Sequence, residues 1–266
     1  MGIIIVVMKM KYLNELAKRK IFTFNDFSNY VGDNNLAKVT IQNYLKKGLI
    51  KRIKQNLYVT ISLETNECLA DKFLIGSKIT DSAFISHHSA FEYYGYYNQV
   101  YNQVNVSSIA KFNDFEFGGN EYSLIKVSSN ILVDEIRGVR VSSIERTIVD
   151  SIKDYRKYSD LEETLNCINQ IQYISIDDIL YYLEFIGSKL LYKKVGIVLS
   201  LFKEKLNIPD SFFEKCNTIS NTVKGYFDNN KDLLVYNSKW KMYVYKDLAN
   251  YINKEWYLCS TMVGMR

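Results

Sequence analysis

Apolar residues recur at three- and four-residue steps through Tyr12, Leu13, Leu16 and Ala17, which predicts a helix over residues 11–20. Ile21-Phe22-Thr23 follows as a short extended piece. Phe24, Phe27 and Tyr30 mark a second helix, capped by Thr23 or Asn25 and ended by Gly32. After a turn at Asp33-Asn34-Asn35, a third helix is expected from Leu36 to Lys47, with Leu36, Val39, Tyr44 and Leu45 facing inward and Gly48 as its stop. Asn34, Lys38, Thr40, Gln42, Asn43 and Lys46 then share the outer face, with Lys47 at its end. From Leu49 to Val59 apolar and basic residues alternate around a reversal at Asn56, a residue that tolerates positive φ. This predicts a hairpin that projects Lys51, Arg52 and Lys54.

The pattern changes after residue 60. Cys68, Leu69, Phe73 and Leu74 predict a connecting helix within 61–80. Strand-like runs follow at Phe84–Ile85, Gln103–Ser107, Phe115–Phe117, Tyr122–Val127 and 138–141, and a helix is expected from Ser86 to Gly95. Ser142 and Glu145 have the spacing of a capping box for a helix over 144–153. Helical periodicity returns at 161–171, 176–186 and 190–206, where Pro209 is read as the stop, and a hairpin with Trp240 as its anchor is expected over 233–245. The fold class is therefore α+β. It comprises a winged helix-turn-helix over 1–60, the connecting helix, and a body over 81–266 that is mixed α/β in its middle and mainly helical at its C-terminal end.

Charge sharpens the functional reading. Residues 1–60 hold 11 Lys and Arg against 3 Asp and Glu, whereas the rest of the chain holds 23 against 26. A cationic end on a nearly neutral body suits a polyanion, and phosphates are the expected partner. Gln and Asn on a helix face can pair with adenine edges and Lys with guanine or phosphate. Asn34, Lys38, Thr40, Gln42, Asn43, Lys46, Lys47, Lys51, Arg52 and Lys54 are accordingly the DNA-contact candidates. A second basic group, Lys189, Lys193, Lys194, Lys203 and Lys205, is read either as a solvated face or as a surface toward RNA or a partner.

Other chemistry finds less support. Cys68, Cys167, Cys216 and Cys259 lack paired spacing, so no zinc or redox motif is read and reduced cytosolic thiols are expected. His88 and Glu92 lie four apart, as metal ligands on a helix can, but no third ligand stands at a recognisable spacing, and neither metal nor cofactor is expected. Arg146 and Asp150 are read as an ion pair holding their helix against the neighbouring sheet, in preference to a catalytic group with Glu145. The apolar run Gly2–Met8 is far shorter than the ~20 residues of a membrane span, so no membrane association is expected; translation could start at Met8 or Met10, and the last ten residues read as a frayed tail.

Three stretches, in order along the chain, carry a resemblance. They are Leu57-Tyr58-Val59 at the end of the hairpin; Ile85-Ser86-His87-His88-Ser89-Ala90-Phe91-Glu92-Tyr93-Tyr94-Gly95; and Gly138-Val139-Arg140-Val141 with Glu145-Arg146-Thr147-Ile148-Val149-Asp150. Over about residues 11–200 the chain resembles the AbiEi family of antitoxins and transcriptional regulators from bacterial abortive-infection systems. Two positions depart from the family's pattern: Asn56 stands where glycine is usual and Phe91 where leucine is.

The resemblance implies a cytoplasmic, non-enzymatic autorepressor that binds inverted repeats of double-stranded DNA in its own promoter. The free protein can be a monomer that pairs on DNA. It also implies a type IV antitoxin whose C-terminal portion opposes a nucleotidyltransferase-like toxin, AbiEii, without a stable complex. The competing reading is a nuclease or nucleotidyltransferase with a winged-helix targeting domain. That reading needs clustered carboxylates or a phosphate loop, and neither is visible.

Overall fold

The computed structural model describes residues 12–158, 161–246 and 248. It mixes helices and strands, as an α+β chain does. The described residues form two compact units: 12–85, 102–128 and 135–140 make the first, and 86–101, 129–134 and those from 141 onward the second. The boundaries expected at 60 and 80 thus fall inside the first unit. No helix among the described residues is long and apolar enough to cross a membrane.

The first unit opens with α1 (Leu13–Arg19), β1 (Ile21–Thr23), α2 (Phe24–Val31), α3 (Asn34–Lys46), β2 (Ile50–Lys54) and β3 (Leu57–Thr60). Thr23 and Asp26 form a reciprocal capping box for α2, and Gly32 closes it at φ 77°. The strands pair antiparallel in the order β1-β3-β2, with Phe22 opposite Tyr58. Leu13, Leu16, Phe22, Phe27, Ala37, Ile41, Tyr44, Ile50 and Tyr58 form a core between the helices and this small sheet.

The connecting helix is shorter than its periodicity suggested. Asp71 accepts the Leu74 N–H at 2.7 Å and so fixes the start of α4 (Lys72–Ser77), while residues 61–68 turn back in a bridge between Ile61 and Cys68. Then come β4 (Phe84–Ile85), β5 (Gln103–Ser108), β6 (Phe115–Phe117) and β7 (Asn120–Lys126), with β5 and β7 parallel. With β8 (Val133–Ile136), which the pattern did not announce, and β9 (Val139–Ser142), the sheet runs β6-β7-β5-β4-β9-β8. The chain passes from one unit to the other within β8 and again within β9.

The second unit holds α5 (His87–Tyr94), α6 (Ile144–Tyr158), α7 (Leu161–Gln170), α8 (Ile176–Ile186), α9 (Lys189–Ser200), α10 (Asp210–Ser220) and the hairpin β10 (Leu234–Asn237) with β11 (Met242–Tyr245). Pro209 begins α10 instead of ending its predecessor, which stops at Ser200. The α6 cap also differs from expectation. Ser143 accepts the Arg146 N–H at 3.3 Å, Ser142 bonds Thr147, and Glu145 reaches away to accept the Ser175 N–H at 2.8 Å. Trp240 is buried, and its ring lies so close to Gly196 that no side chain fits there. The proposed start sites and the last ten residues lie outside the described residues.

A charged network is sealed into this unit. Arg146, 1% exposed, donates from Nε to Asp150 Oδ2 at 3.2 Å and from Nη1 to the Ser129 and Ile131 carbonyls. Asp150 also accepts from Lys153 at 2.8 Å and from the Tyr182 hydroxyl at 3.1 Å. The ion pair read from sequence is present, but it ties α6 to the 129–131 segment and to α8 rather than to a sheet. Burial alone would raise the Asp150 carboxyl, yet its neighbours His87, Lys153 and Arg146 hold it below the usual value. One turn on, α6 kinks at Asp154, whose carboxylate meets Lys153 at 3.3 Å and His87 at 3.7 Å.

Burial opposes ionisation of Asp154, but His87 and Lys153 overcome it and lower its pKa to about 2. An Asp whose native pKa lies below its unfolded value of about 3.9 stabilises the fold above that value and loses the contribution as pH falls through the native one. Acid unfolding should therefore take a steep toll between about pH 4 and about pH 2. Asp228, lowered to about 2 against its burial by hydrogen bonds from Tyr155 and Tyr245, shares that window. In Asp154→Asn, stability followed by circular dichroism should fall less steeply over this range than in the wild type. An unchanged slope would remove Asp154 from the account.

Candidate nucleic-acid interface

Asp33 accepts the N–H groups of Asn35 and Leu36 at 2.8 and 3.0 Å, and Asn34 accepts the Ser28 hydroxyl, so the start of α3 is bound to α2. The buried stripe of α3 is Ala37, Thr40, Ile41 and Tyr44, with the i, i+3, i+4, i+7 spacing of a helix packed along one side. Lys38, Gln42, Asn43 and Lys46 consequently lie on the open side, with Lys47 exposed just beyond. Three sequence assignments are corrected by this register. Thr40 turns inward at 9% exposure, while Leu36 and Val39 stand out at 45% and 54%. Apolar character alone suggested that Leu36 and Val39 were inside, whereas the stripe that touches the core is set by Ala37 and Ile41.

The β2–β3 hairpin turns at Gln55 and Asn56, and Asn56 adopts φ 64° as its side chain permits. Asn56 Oδ1 accepts the Phe24 N–H at 3.0 Å, which links the turn to the first residue of α2. Glycine could make the turn but not this bond. The register shifts between Arg52 and Lys54, so the three cations of the hairpin do not behave alike. Lys51 and Arg52 are exposed, and the Arg52 guanidinium lies 5.6 Å from the ring centre of its cross-strand partner Tyr58. Lys54 does not project toward a ligand. Its Nζ donates to the Ile79 carbonyl at 3.2 Å, lies 5.5 Å from the Phe112 ring centre, and has its pKa lowered by burial.

A cleft of about 670 Å³ in the same unit escaped the sequence reading. Lys18, Arg19, Lys20, Lys78, Arg137 and Arg140 line it against Asp26, Asp81 and Glu135. The run Lys18-Arg19-Lys20 was legible as a basic end to α1. The other cations come from distant parts of the chain, and only the fold assembles them. Arg140 serves the fold itself, donating to the Thr80 and Ser77 carbonyls at 2.8 and 3.0 Å.

The lysines of the second unit do not make the surface their spacing suggested. Lys193 is 1% exposed and donates to the Val223 carbonyl at 2.6 Å, and Lys194 is half-buried over the Phe227 and Tyr155 rings. Lys203 pairs with Asp210 at 2.8 Å, Lys205 donates to Asn169 at 3.3 Å, and Lys189 is exposed at the start of α9. Lys193 and Lys194 are adjacent in sequence, and the packing of α9 turns both toward partners within its own unit.

The two roles of Asn56 can be separated by substitution. Asn56→Gly keeps the left-handed turn and loses the bond to Phe24, which should cost about 1 kcal/mol. Asn56→Ala loses the bond and adds left-handed strain, for roughly 2 kcal/mol in all. Chemical denaturation should rank wild type above the glycine variant and that above the alanine variant.

No protein-family model matches the chain, and curated protein sequences gave no match. Among solved structures, the fold is similar to that in the crystal structure of the Rv2827c protein from Mycobacterium tuberculosis, with a TM-score of 0.60 at 12% identity over 94% of this chain and 95% of that one. At that identity the likeness concerns the fold.

Proposed function

We propose that residues 12–60 are a winged helix-turn-helix and that the protein is a DNA-binding autorepressor and type IV antitoxin, opposed to a nucleotidyltransferase-like toxin encoded beside it. The observation that carries this reading is the open face of α3. Lys38, Gln42 and Lys46 rise along it at four-residue steps beside Asn43, and Lys51 and Arg52 are exposed on the hairpin that follows. Such a face offers base-edge donors and acceptors, while the hairpin cations suit the phosphate backbone. The element order, three helices with a sheet ordered β1-β3-β2, supports a reading in which the third helix enters a major groove and the β2–β3 hairpin acts as the wing. Two copies on an inverted repeat would double these contacts without requiring a dimer in solution.

The antitoxin half of the proposal rests on the ordered sequence resemblance to AbiEi alone; the motif residues His87, Arg146 and Asp150 come together in one buried network that holds helices of the second unit. The same burial weakens the enzyme reading, because Arg146 and Asp150 are each 1% exposed and already matched by structural partners.

Salt titration of binding to the promoter duplex tests the first half. Each phosphate contact contributes about 0.9 to the logarithmic slope, so the double substitution Lys51→Ala/Arg52→Ala should lower the slope by about 2. Lys54→Ala should leave it unchanged, because that side chain is bound to Ile79. Absence of salt-dependent duplex binding would overturn the DNA reading. Co-expression with the neighbouring toxin tests the second half: the Lys51/Arg52 variant should lose repression and still restore growth. Failure of the wild-type chain to restore growth would remove the antitoxin role.

A further inference from the structure

We propose that the second unit holds a buried zinc site formed by His88, Glu163 and Cys167, a ligand set that sequence spacing concealed because His88 lies on α5 and the other two on α7. Glu163 and Cys167 are four residues apart, which places them on one face of that helix. Cys167 Sγ lies 3.5 Å from Glu163 Oε1 and 3.9 Å from His88 Nδ1, and His88 Nδ1 lies 3.9 Å from the same Oε1. The point equidistant from these three atoms in their own plane is about 2.2 Å from each, close to zinc bond lengths to nitrogen, oxygen and sulfur, and the three ligands would draw slightly together around a tetrahedral zinc above that plane.

The surroundings fit a metal as well as the distances do. His88 Nε2 lies 3.0 Å from the Gln99 carbonyl, and donating its proton there leaves the Nδ1 lone pair toward Glu163 and Cys167. Glu163 Oε1 is oriented by the N–H groups of Asn98 and Gln99 at 3.1 and 3.3 Å, and the Tyr101 ring packs on the imidazole with centroids 4.5 Å apart. All three side chains are buried, where an uncompensated charge is expensive. Zinc would displace the Cys167 thiol proton into solvent. The dication, thiolate, carboxylate and neutral imidazole then sum to zero charge, a state suited to a site sealed from water. The second oxygen of Glu163 would supply the fourth ligand. The site is structural in character, since it fastens the 98–99 loop and α5 to α7, and it stands independently of the DNA reading.

Full-length protein purified without chelator should contain about one zinc per chain by inductively coupled plasma mass spectrometry. After removal of that metal, added Co²⁺ should give the absorption of a cobalt–thiolate bond. Cys167→Ser should lose this band while Cys216→Ser keeps it, with the native unfolding transition of each variant confirming that it folds. Zinc near zero together with no thiolate band from Co²⁺ in the wild type would overturn the site, whatever the variants do. A band that survives in Cys167→Ser would do the same.

Discussion

A carboxylate removed from water must be matched by charge and hydrogen bonds, and Asp150 sets that condition for the second unit. Arg146, Lys153 and Tyr182 meet it directly, and each of these comes with obligations of its own. Arg146 fixes α6 to the carbonyls of Ser129 and Ile131, Tyr182 fixes it to α8, and Lys153 is shared with Asp154, which faces His87 on α5. Removing one partner leaves a buried charge without compensation, which is far costlier than losing an exposed pair. The apolar cluster built from Ile148, Val149, Ile152, Leu165 and Leu183 supplies the bulk of the burial. The polar network specifies which way round α6 must sit within it.

The residues behind the AbiEi resemblance are therefore framework residues. His87, Arg146 and Asp150 sit in the interior, at 2%, 1% and 1% exposure. A motif of that kind reports a way of holding helices together, and function has to be argued from the surface presented to a partner. In the first unit the surface proposed for that role is the open side of α3 and its hairpin, where Lys38, Gln42, Asn43, Lys46, Lys51 and Arg52 are exposed.

Local chemistry was legible in the sequence and long-range assembly was not. The helix over 176–186, the Thr23 cap, the Gly32 stop and the positive φ of Asn56 follow from residue type and near-neighbour spacing, and the structure has each of them. Lys54 was misjudged because its fate depends on Ile79 and Phe112, far away in sequence. Pro209 was read as an ending when it is equally suited to a beginning, since a missing N–H harms neither end of the chain segment there. The Ser142–Glu145 spacing matched a capping box, but Ser142 belongs to β9 and the cap moved one residue on. The triad of His88, Glu163 and Cys167 spans two helices, so no spacing rule could have found it.

The exposure of Leu36 and Val39 bears on which partner α3 suits. Two apolar side chains three residues apart on an open face could serve a protein interface or a duplex. Protein interfaces exclude charge from their centres. Here Lys38 lies between the two apolar residues in sequence, and Gln42, Asn43 and Lys46 continue the same open side. Burying that set against a protein surface that lacks carboxylates would strip water from two ammonium groups without supplying counter-charge. Against a duplex the ammonium groups meet phosphate or guanine, the amides meet base edges, and the apolar pair can lie against thymine methyl groups. Lys38, Gln42, Asn43 and Lys46, rather than the exposed apolar pair, are what favour the proposed nucleic acid over a protein as the occupant of this face.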